Sequence, residues 1–99
     1  MRKYRVTPAA RNDLNNIGRY TSLKWGKAQR NTYLKSLEVR FAWLADNPLL
    51  GKHRTDINEG FYSFPQGEHL VFYIMQPEGI AIIGIPHKEM DILSYFRFS

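Results

Sequence analysis

The sequence predicts one α+β domain spanning residues 1–99, in which a helical hairpin packs on a small, mostly antiparallel sheet. Three observations support this prediction. The first half of the chain contains two amphipathic helical patterns separated by a short turn. The second half contains three β-rich runs separated by tight turns. A chain of 99 residues with 43% hydrophobic and 23% charged residues has the composition of a folded domain and room for one core. The predicted order is β-α-α-β-β-β, followed by a short C-terminal helical segment.

The N-terminal half has clear start and stop signals. Residues 3–7 alternate in a way that favours a short strand. Thr7-Pro8 predicts the start of the first helix, because Thr caps free N–H groups and Pro needs no donor at that position. Trp25-Gly26 predicts its end, and Asn47-Pro48 ends a second helix over 27–45. Because the connecting turn is so short, the two helices should pack antiparallel.

The C-terminal half predicts a loop followed by an antiparallel meander. Residues 49–60 are polar, and we expect a loop there. Strands are predicted over 61–64, 68–75 and 80–85, with turns at 65–67 and 76–79. The last run is almost wholly aliphatic and should be buried on both faces. Residues 88–95 can form one or two helical turns before an aromatic tail at 95–98.

Composition narrows the functional classes. The chain has no cysteine, which excludes a disulfide framework, a thiolate metal site and a Cys nucleophile, and is typical of a cytoplasmic protein. No apolar run is long enough for a membrane span or a secretory signal, so no membrane association is expected. Residues 1–44 carry ten Lys and Arg against two acids, whereas residues 45–99 carry four against seven. The basic half favours an anionic partner, either nucleic acid or an acidic protein segment, unless it serves solubility alone.

The common catalytic motifs are missing. The sequence has no dinucleotide-binding, Walker, zinc-protease or nucleophile-elbow motif. His87 and Asp91 are four apart but have no third ligand nearby in sequence, so we expect no metal site and no cofactor. RNA cleavage needs an acid, a base and cations near the phosphate. His53, Arg54, His69, Tyr73, His87 and Lys88 supply these residue types. Because residues 80–85 carry no ionisable group, we expect a protein that is not an enzyme.

An ordered set of residues covering nearly the whole chain resembles ParE-type toxins. The set comprises Thr7-Pro8-Ala9-Ala10, Asp13-Leu14, Ile17, Tyr20, Trp25-Gly26, Gln29, Tyr33, Leu37, Phe41, Leu44, Pro48, Gly51, Gly67, His69, Phe72-Tyr73, Ile80–His87 and Met90-Asp91. No single piece is specific, whereas the ordered set is. Pro86 is a small departure, because many relatives have an aliphatic residue before this His. The resemblance implies the RelE/ParE fold and the toxin half of a type II toxin–antitoxin module.

The resemblance implies two alternative activities on one fold. Toxins of the ParE branch poison DNA gyrase, which blocks replication and arrests bacterial growth, whereas toxins of the RelE branch cut mRNA on the ribosome. The run 80–85 and the ParE-like ending 86–91 favour a gyrase inhibitor without hydrolytic activity. A ribosome-dependent mRNA endonuclease is the alternative, with His87, Arg54 and Tyr73 as the acid, the cation and an auxiliary proton donor. A purely structural binding module is the third hypothesis.

The resemblance also implies a ParD-like antitoxin, whose acidic, amphipathic tail wraps the toxin in a hetero-oligomer. Such a tail suits the basic half of the chain, so we do not expect direct nucleic-acid binding. We expect the tail to contact a sheet edge and a groove lined by Leu14, Ile17, Tyr20, Tyr33, Leu37 and Phe41. We expect the toxic, target-binding surface in the C-terminal segment, at His87, Lys88, Met90, Asp91, Tyr95 and Phe96.

Overall fold

A computed structural model describes residues 3–97 and has the α+β architecture that the sequence predicts. Its elements, in chain order, are β1 (Lys3–Val6), α1 (Pro8–Trp25), α2 (Lys27–Asp46), β2 (Lys52–His53), β3 (Tyr62–Gln66), β4 (His69–Gln76), β5 (Gly79–Gly84) and α3 (Ile92–Arg97). The strands form one sheet in the order β1-β5-β4-β3-β2. The pairing of β1 with β5 is parallel, and the other neighbours are antiparallel. Phe98, in the predicted aromatic tail, lies outside the described residues.

The start of α1 is fixed by the residue that the sequence indicates. The Thr7 hydroxyl accepts a hydrogen bond from the Ala10 N–H at 3.3 Å and donates one to the Ile82 carbonyl at 2.9 Å. The helix cap therefore also ties α1 to β5. Gly26, with a φ of 94°, separates the two helices, and α2 ends at Asp46, one residue beyond the prediction.

Two expectations about the sheet were wrong. Residues 49–60 are not a loop throughout, because they contain β2, which pairs with β3 and makes the sheet five-stranded. The turn after β3 also begins later than predicted, since Pro65 pairs with Leu70 and only Gly67 and Glu68 form the turn. Pro65 is tolerated because it lies beyond the end of β2, where no neighbouring strand needs a hydrogen bond from its nitrogen.

The chain beyond β5 stays close to β4 before it becomes helical. The Leu70 N–H donates to the Pro86 carbonyl and the Lys88 N–H to the Glu68 carbonyl, each at 2.9 Å. Because these bonds hold residues 86–88 in an extended path, α3 begins at Ile92 rather than at residue 88.

The sheet has two differently covered faces. The helix-covered face, on which α1 and α2 pack, contains the core cluster of Ala10, Ile17, Leu37, Phe41, Leu44, Ala45, Val71, Tyr73, Ile80, Ile82 and Ile85. Most of the apolar stripe residues predicted for the two helices lie in this core or pack against it, whereas Tyr20 is exposed. The strand β5 is buried along most of its length, as expected. The opposite side, here called the α3 face, carries the fully buried ring of Phe72, which α3 covers.

Candidate functional site

The α3 face places the C-terminal segment in contact with the sheet through aromatic side chains. The ring of Phe96 meets the ring of Phe72 edge to face, with the centroids 4.8 Å apart, and lies 5.0 Å from that of Phe61. Tyr95 packs on Gly84, where an added Cβ would lie 2.6 Å from the tyrosine hydroxyl oxygen. Two of the six residues predicted for the toxic surface, Tyr95 and Phe96, therefore point inward and anchor α3.

Asp13 links α1 to the C-terminal segment. Its Oδ2 accepts a hydrogen bond from the Ile85 N–H at 2.8 Å and another from the Tyr95 hydroxyl. Burial, together with this bond to the carboxylate, raises the pKa of Tyr95 far above its ordinary value. The hydroxyl is therefore a protonated donor at every physiological pH. The sequence did not reveal this role of Asp13, because the two partners lie more than 70 positions away.

Arg54 also contacts the ring of Phe72, which Phe96 covers. Its guanidinium carbon lies 5.2 Å from the Phe72 ring centroid, and its nitrogens donate to both Asp56 carboxylate oxygens at 3.0 Å and to the Ser63 hydroxyl at 3.2 Å. The hydrogen bond from Arg54 lowers the pKa of Asp56. These hydrogen bonds hold the Arg54 guanidinium next to the aromatic cluster of Phe72 and Phe96.

The outward side of the segment consists of different residues. Asp91 begins α3, since its carboxylate accepts hydrogen bonds from the Ser94 hydroxyl and N–H, which lower the pKa of Asp91. Met90 is 47% exposed and Leu93 62% exposed, and Lys88 is exposed as well. Leu93 was not among the site residues predicted from the sequence. Its position could have been found from helical spacing once residues 95 and 96 were known to point inward.

A second group of polar side chains joins α2 to the start of β4. The Tyr33 hydroxyl lies 2.6 Å from His69 Nδ1 and accepts a hydrogen bond from the Glu68 N–H at 3.1 Å. The His87 ring lies 5.4 Å from that of His69, and Lys88 forms a 3.3 Å ion pair with Glu68. Burial, and then repulsion from His87, lowers the pKa of His69 to about 4. His69 is therefore neutral at pH 7, in the wall of a cleft of about 430 Å³ that Tyr20 and Trp25 also line.

The structure does not assemble the predicted nuclease residues. The Tyr73 hydroxyl lies on the helix-covered face, donates to the Pro48 carbonyl at 2.7 Å and accepts from the Gly51 N–H at 3.1 Å. Burial raises the pKa of Tyr73. Arg54 lies on the opposite face over Phe72, and His87 packs on His69. Since Tyr73 and Arg54 are separated by the sheet, the three residues cannot surround one phosphate.

The six residues expected in the antitoxin groove are distributed between core and surface. Leu37 and Phe41 are completely buried and Ile17 is almost so, while Leu14 and Tyr33 are partly buried against the same core. Of the six, Tyr20 alone is strongly exposed, at 60%. These side chains therefore do not line one open groove in this structure.

An open cleft does lie between α1 and α2, on the side away from the sheet core. Its volume is about 540 Å³, and its lining combines apolar and basic side chains: Leu14, Leu23, Leu34, Arg19 and Arg30. Leu23 is 83% exposed, and Gly18 lets α2 approach α1, since a Cβ there would touch the Leu34 side chain at 3.4 Å. The sequence pattern missed Leu23 as a site residue, because it lies outside the apolar stripe of α1.

Comparisons with known proteins identify the family. Residues 4–92 match the family model described as the ParE toxin of the type II toxin–antitoxin system parDE. The chain belongs to the ParE toxin family. This ParE chain is 32% identical over 91 residues to "Toxin ParE1" of Mycobacterium tuberculosis, covering 91% of this chain and 93% of the relative. It is 29% identical to "Toxin ParE1" of Caulobacter vibrioides, with 92% and 94% covered.

A solved structure has the same fold. The chain from the "Chromosomal ParDE TA system from P. aeruginosa" superposes with a TM-score of 0.76 at 16% identity, over 90% of this ParE chain and 98% of that one. Within residues 3–97 of this ParE toxin, every helix is too short or too polar to span a membrane.

Proposed function

We propose that this ParE toxin acts in the cytoplasm as a non-catalytic poison of DNA gyrase and is neutralised by a ParD-like antitoxin. The observation that carries the gyrase proposal is the division of the C-terminal segment into anchors and presented side chains. Tyr95 and Phe96 hold α3 against the sheet, whereas Met90, Leu93 and Lys88 are exposed. Apolar side chains exposed on an anchored element are typical of a protein-binding surface.

The geometry also supports a mechanism without hydrolysis. Of the three residues suited to RNA cleavage, Tyr73 is committed to backbone partners and Arg54 to Asp56 and Ser63, on opposite faces of the sheet. The remaining His87 packs on the neutral His69. The cations near this pair have other partners, since Lys88 pairs with Glu68 and Lys24, which lines the same cleft, donates to the Tyr20 hydroxyl. Inhibition of a protein target by binding alone requires none of these catalytic groups.

The test is plasmid supercoiling by purified gyrase with ATP, in the presence of the toxin freed of antitoxin. We expect the toxin to abolish supercoiling and to leave cleaved plasmid trapped after detergent. Leu93→Asp should weaken the inhibition at least about tenfold, because it places a charge in the centre of the proposed contact. Val39→Asp is the matched control, since Val39 is an exposed aliphatic residue of α2, 58% accessible and distant in sequence from α3.

Two results would overturn the proposal. The first is full supercoiling at an excess of folded toxin. The second is equal inhibition by the wild type and Leu93→Asp. Ribosome-dependent cleavage of an mRNA by the same preparation would favour the endonuclease alternative instead.

The cleft between α1 and α2 supports the antitoxin part of the proposal. Leu23 and Leu34 offer apolar surface there, and Arg19 and Arg30 place positive charge at the same cleft. An acidic amphipathic tail matches both features. We expect Arg19→Glu to weaken binding of the antitoxin about tenfold in calorimetry, mainly at low salt, whereas Lys52→Glu, an equal charge reversal on β2, should have little effect. Unchanged affinity of Arg19→Glu would exclude this cleft.

A further inference from the structure

The C-terminal helix α3 is too short to be stable by itself. It has six residues, whereas isolated helices of fewer than about 12 residues are marginal in water. Its position must therefore be set by contacts with the rest of the toxin. The aromatic contacts of Phe96 with Phe72 and Phe61 supply adhesion, but apolar packing restricts direction only weakly.

One carboxylate oxygen, Oδ2 of Asp13, fixes the orientation of α3 that apolar packing leaves open. Asp13 Oδ2 accepts from the backbone N–H of Ile85, directly after β5, and from the hydroxyl of Tyr95, within α3. These two donors lie at the two ends of the segment 85–95, so Asp13 closes that segment into a loop on the side of α1. Lys88, Met90 and Leu93, the outward side chains, all lie between the two closing bonds.

The contacts around this oxygen leave it little freedom. Tyr95 is confined by Gly84, where even a Cβ would come within 2.6 Å of its hydroxyl oxygen. Ile85 is buried, and both of its neighbours, Gly84 and Pro86, are buried as well. Hydrogen bonds to an ionised acceptor are stronger and more directional than apolar contacts.

We propose that Asp13 is a positioning residue, which fixes the segment 85–95 and thereby sets the direction in which the outward side chains of this segment face the target. This proposal rests on the proposed function only for the identity of the target. Asp13 itself contacts no target and performs no chemistry. It acts through Tyr95 and Ile85.

The test uses two variants with different chemistry and the same expected effect. Tyr95→Phe removes one donor and keeps the ring on Gly84, and Asp13→Asn removes the charge of the acceptor and keeps its size. The matched controls are Tyr4→Phe, which removes a tyrosine hydroxyl from β1, and Asp46→Asn, which neutralises an exposed carboxylate at the end of α2.

The first readout is amide hydrogen exchange, which requires no target. In both test variants we expect exchange at residues 92–97 to accelerate about tenfold or more, while amides of β4 and β5 change less than about twofold. The double variant should be no faster than the faster single variant, because Tyr95→Phe removes, and Asp13→Asn weakens, the same hydrogen bond between Tyr95 and Asp13. Unchanged exchange in α3, or equal acceleration in α3 and the sheet, would overturn the proposal.

The second readout is gyrase inhibition by the same proteins. We expect the half-inhibitory concentration to rise by a similar factor in both test variants and to stay constant in both controls. Accelerated exchange with unchanged inhibition would overturn the positioning role. If the wild type itself fails to inhibit gyrase, the proposed function is wrong, while the exchange experiment still decides whether Asp13 holds the segment.

Discussion

The two faces of the sheet are stabilised in different ways. On the helix-covered face, helices of 18 and 20 residues bury a continuous core around Leu37, Phe41 and Tyr73. On the α3 face, a helix of six residues covers Phe72 and is held by two aromatic side chains and one carboxylate. On the helix-covered face, stability is distributed over many contacts. On the α3 face, the position of the helix depends on a few individual contacts. Regions with few buried contacts open locally at low free energy, which suits a surface that engages a partner.

The largest loss of stability is expected when a core aromatic ring is removed from the helix-covered face. We expect Phe41→Ala to lower the free energy of unfolding by about 3–5 kcal/mol, because it leaves a cavity at a fully buried position. Urea denaturation measures the change, and Val39→Ala, at an exposed position of the same helix, should stay within about 0.5 kcal/mol. A loss below about 1 kcal/mol for Phe41→Ala would contradict the proposed distribution of stability.

A smaller effect is expected from the corresponding change on the α3 face. Phe96→Ala should cost about 1–2 kcal/mol, since the Phe96 ring is only partly buried between Phe72 and Phe61. Hydrogen exchange should accelerate in α3 and remain slow in β4. A loss as large as that of Phe41→Ala would mean that α3 belongs to the main core and that the two faces do not differ.

The smallest effect concerns His69, at the start of β4, where Tyr33 of α2 meets the C-terminal segment. Its pKa is about 4 in the folded chain, against an ordinary value of 6.5, with His87, Glu68 and Asp13 as the neighbouring titratable groups. Because the unfolded chain binds the proton first, the contribution of His69 to stability is complete above pH 6.5 and is lost as the pH falls towards 4. After allowance for solvent screening, we expect a loss of about 1 kcal/mol.

The measurement is urea denaturation at a series of pH values from 7 to 4 for the wild type and His69→Asn. The asparagine can still bond to the Tyr33 hydroxyl but does not titrate. The difference between the two free energies should shrink over that range. A constant difference would show that His69 does not titrate abnormally.

The sequence predicted the helix-covered face far better than the α3 face. Apolar residues at helical spacing and the Thr7-Pro8 signal located α1, α2 and their buried stripes, because periodicity is a local property. The strand β2 has only two residues, too few for any alternation to be visible. The stripe did not distinguish buried Ile17 from exposed Tyr20, because burial depends on which neighbour covers a position.

The contacts of the candidate site could not be predicted from local sequence patterns. Asp13 and Tyr95 are 82 positions apart, and Tyr33 and His69 are 36 apart, so nothing in the sequence between them indicates that they meet. Tyr95 and Phe96 were expected on the toxic surface because they are large and close to the chain end. The structure shows them packed inward, because Gly84 and Phe72 leave an aromatic-sized space on the sheet.

The parallel pairing of β1 with β5 has a consequence for the order of folding. Lys3 lies opposite Gly79, so β1 has no partner until the chain has been synthesised as far as β5. The hairpin of α1 and α2 can form early from local contacts, but the sheet closes only when distant segments meet, which is slow. Translation interrupted before residue 79 therefore leaves β1 unpaired, and the sheet is complete only after β5 has been synthesised.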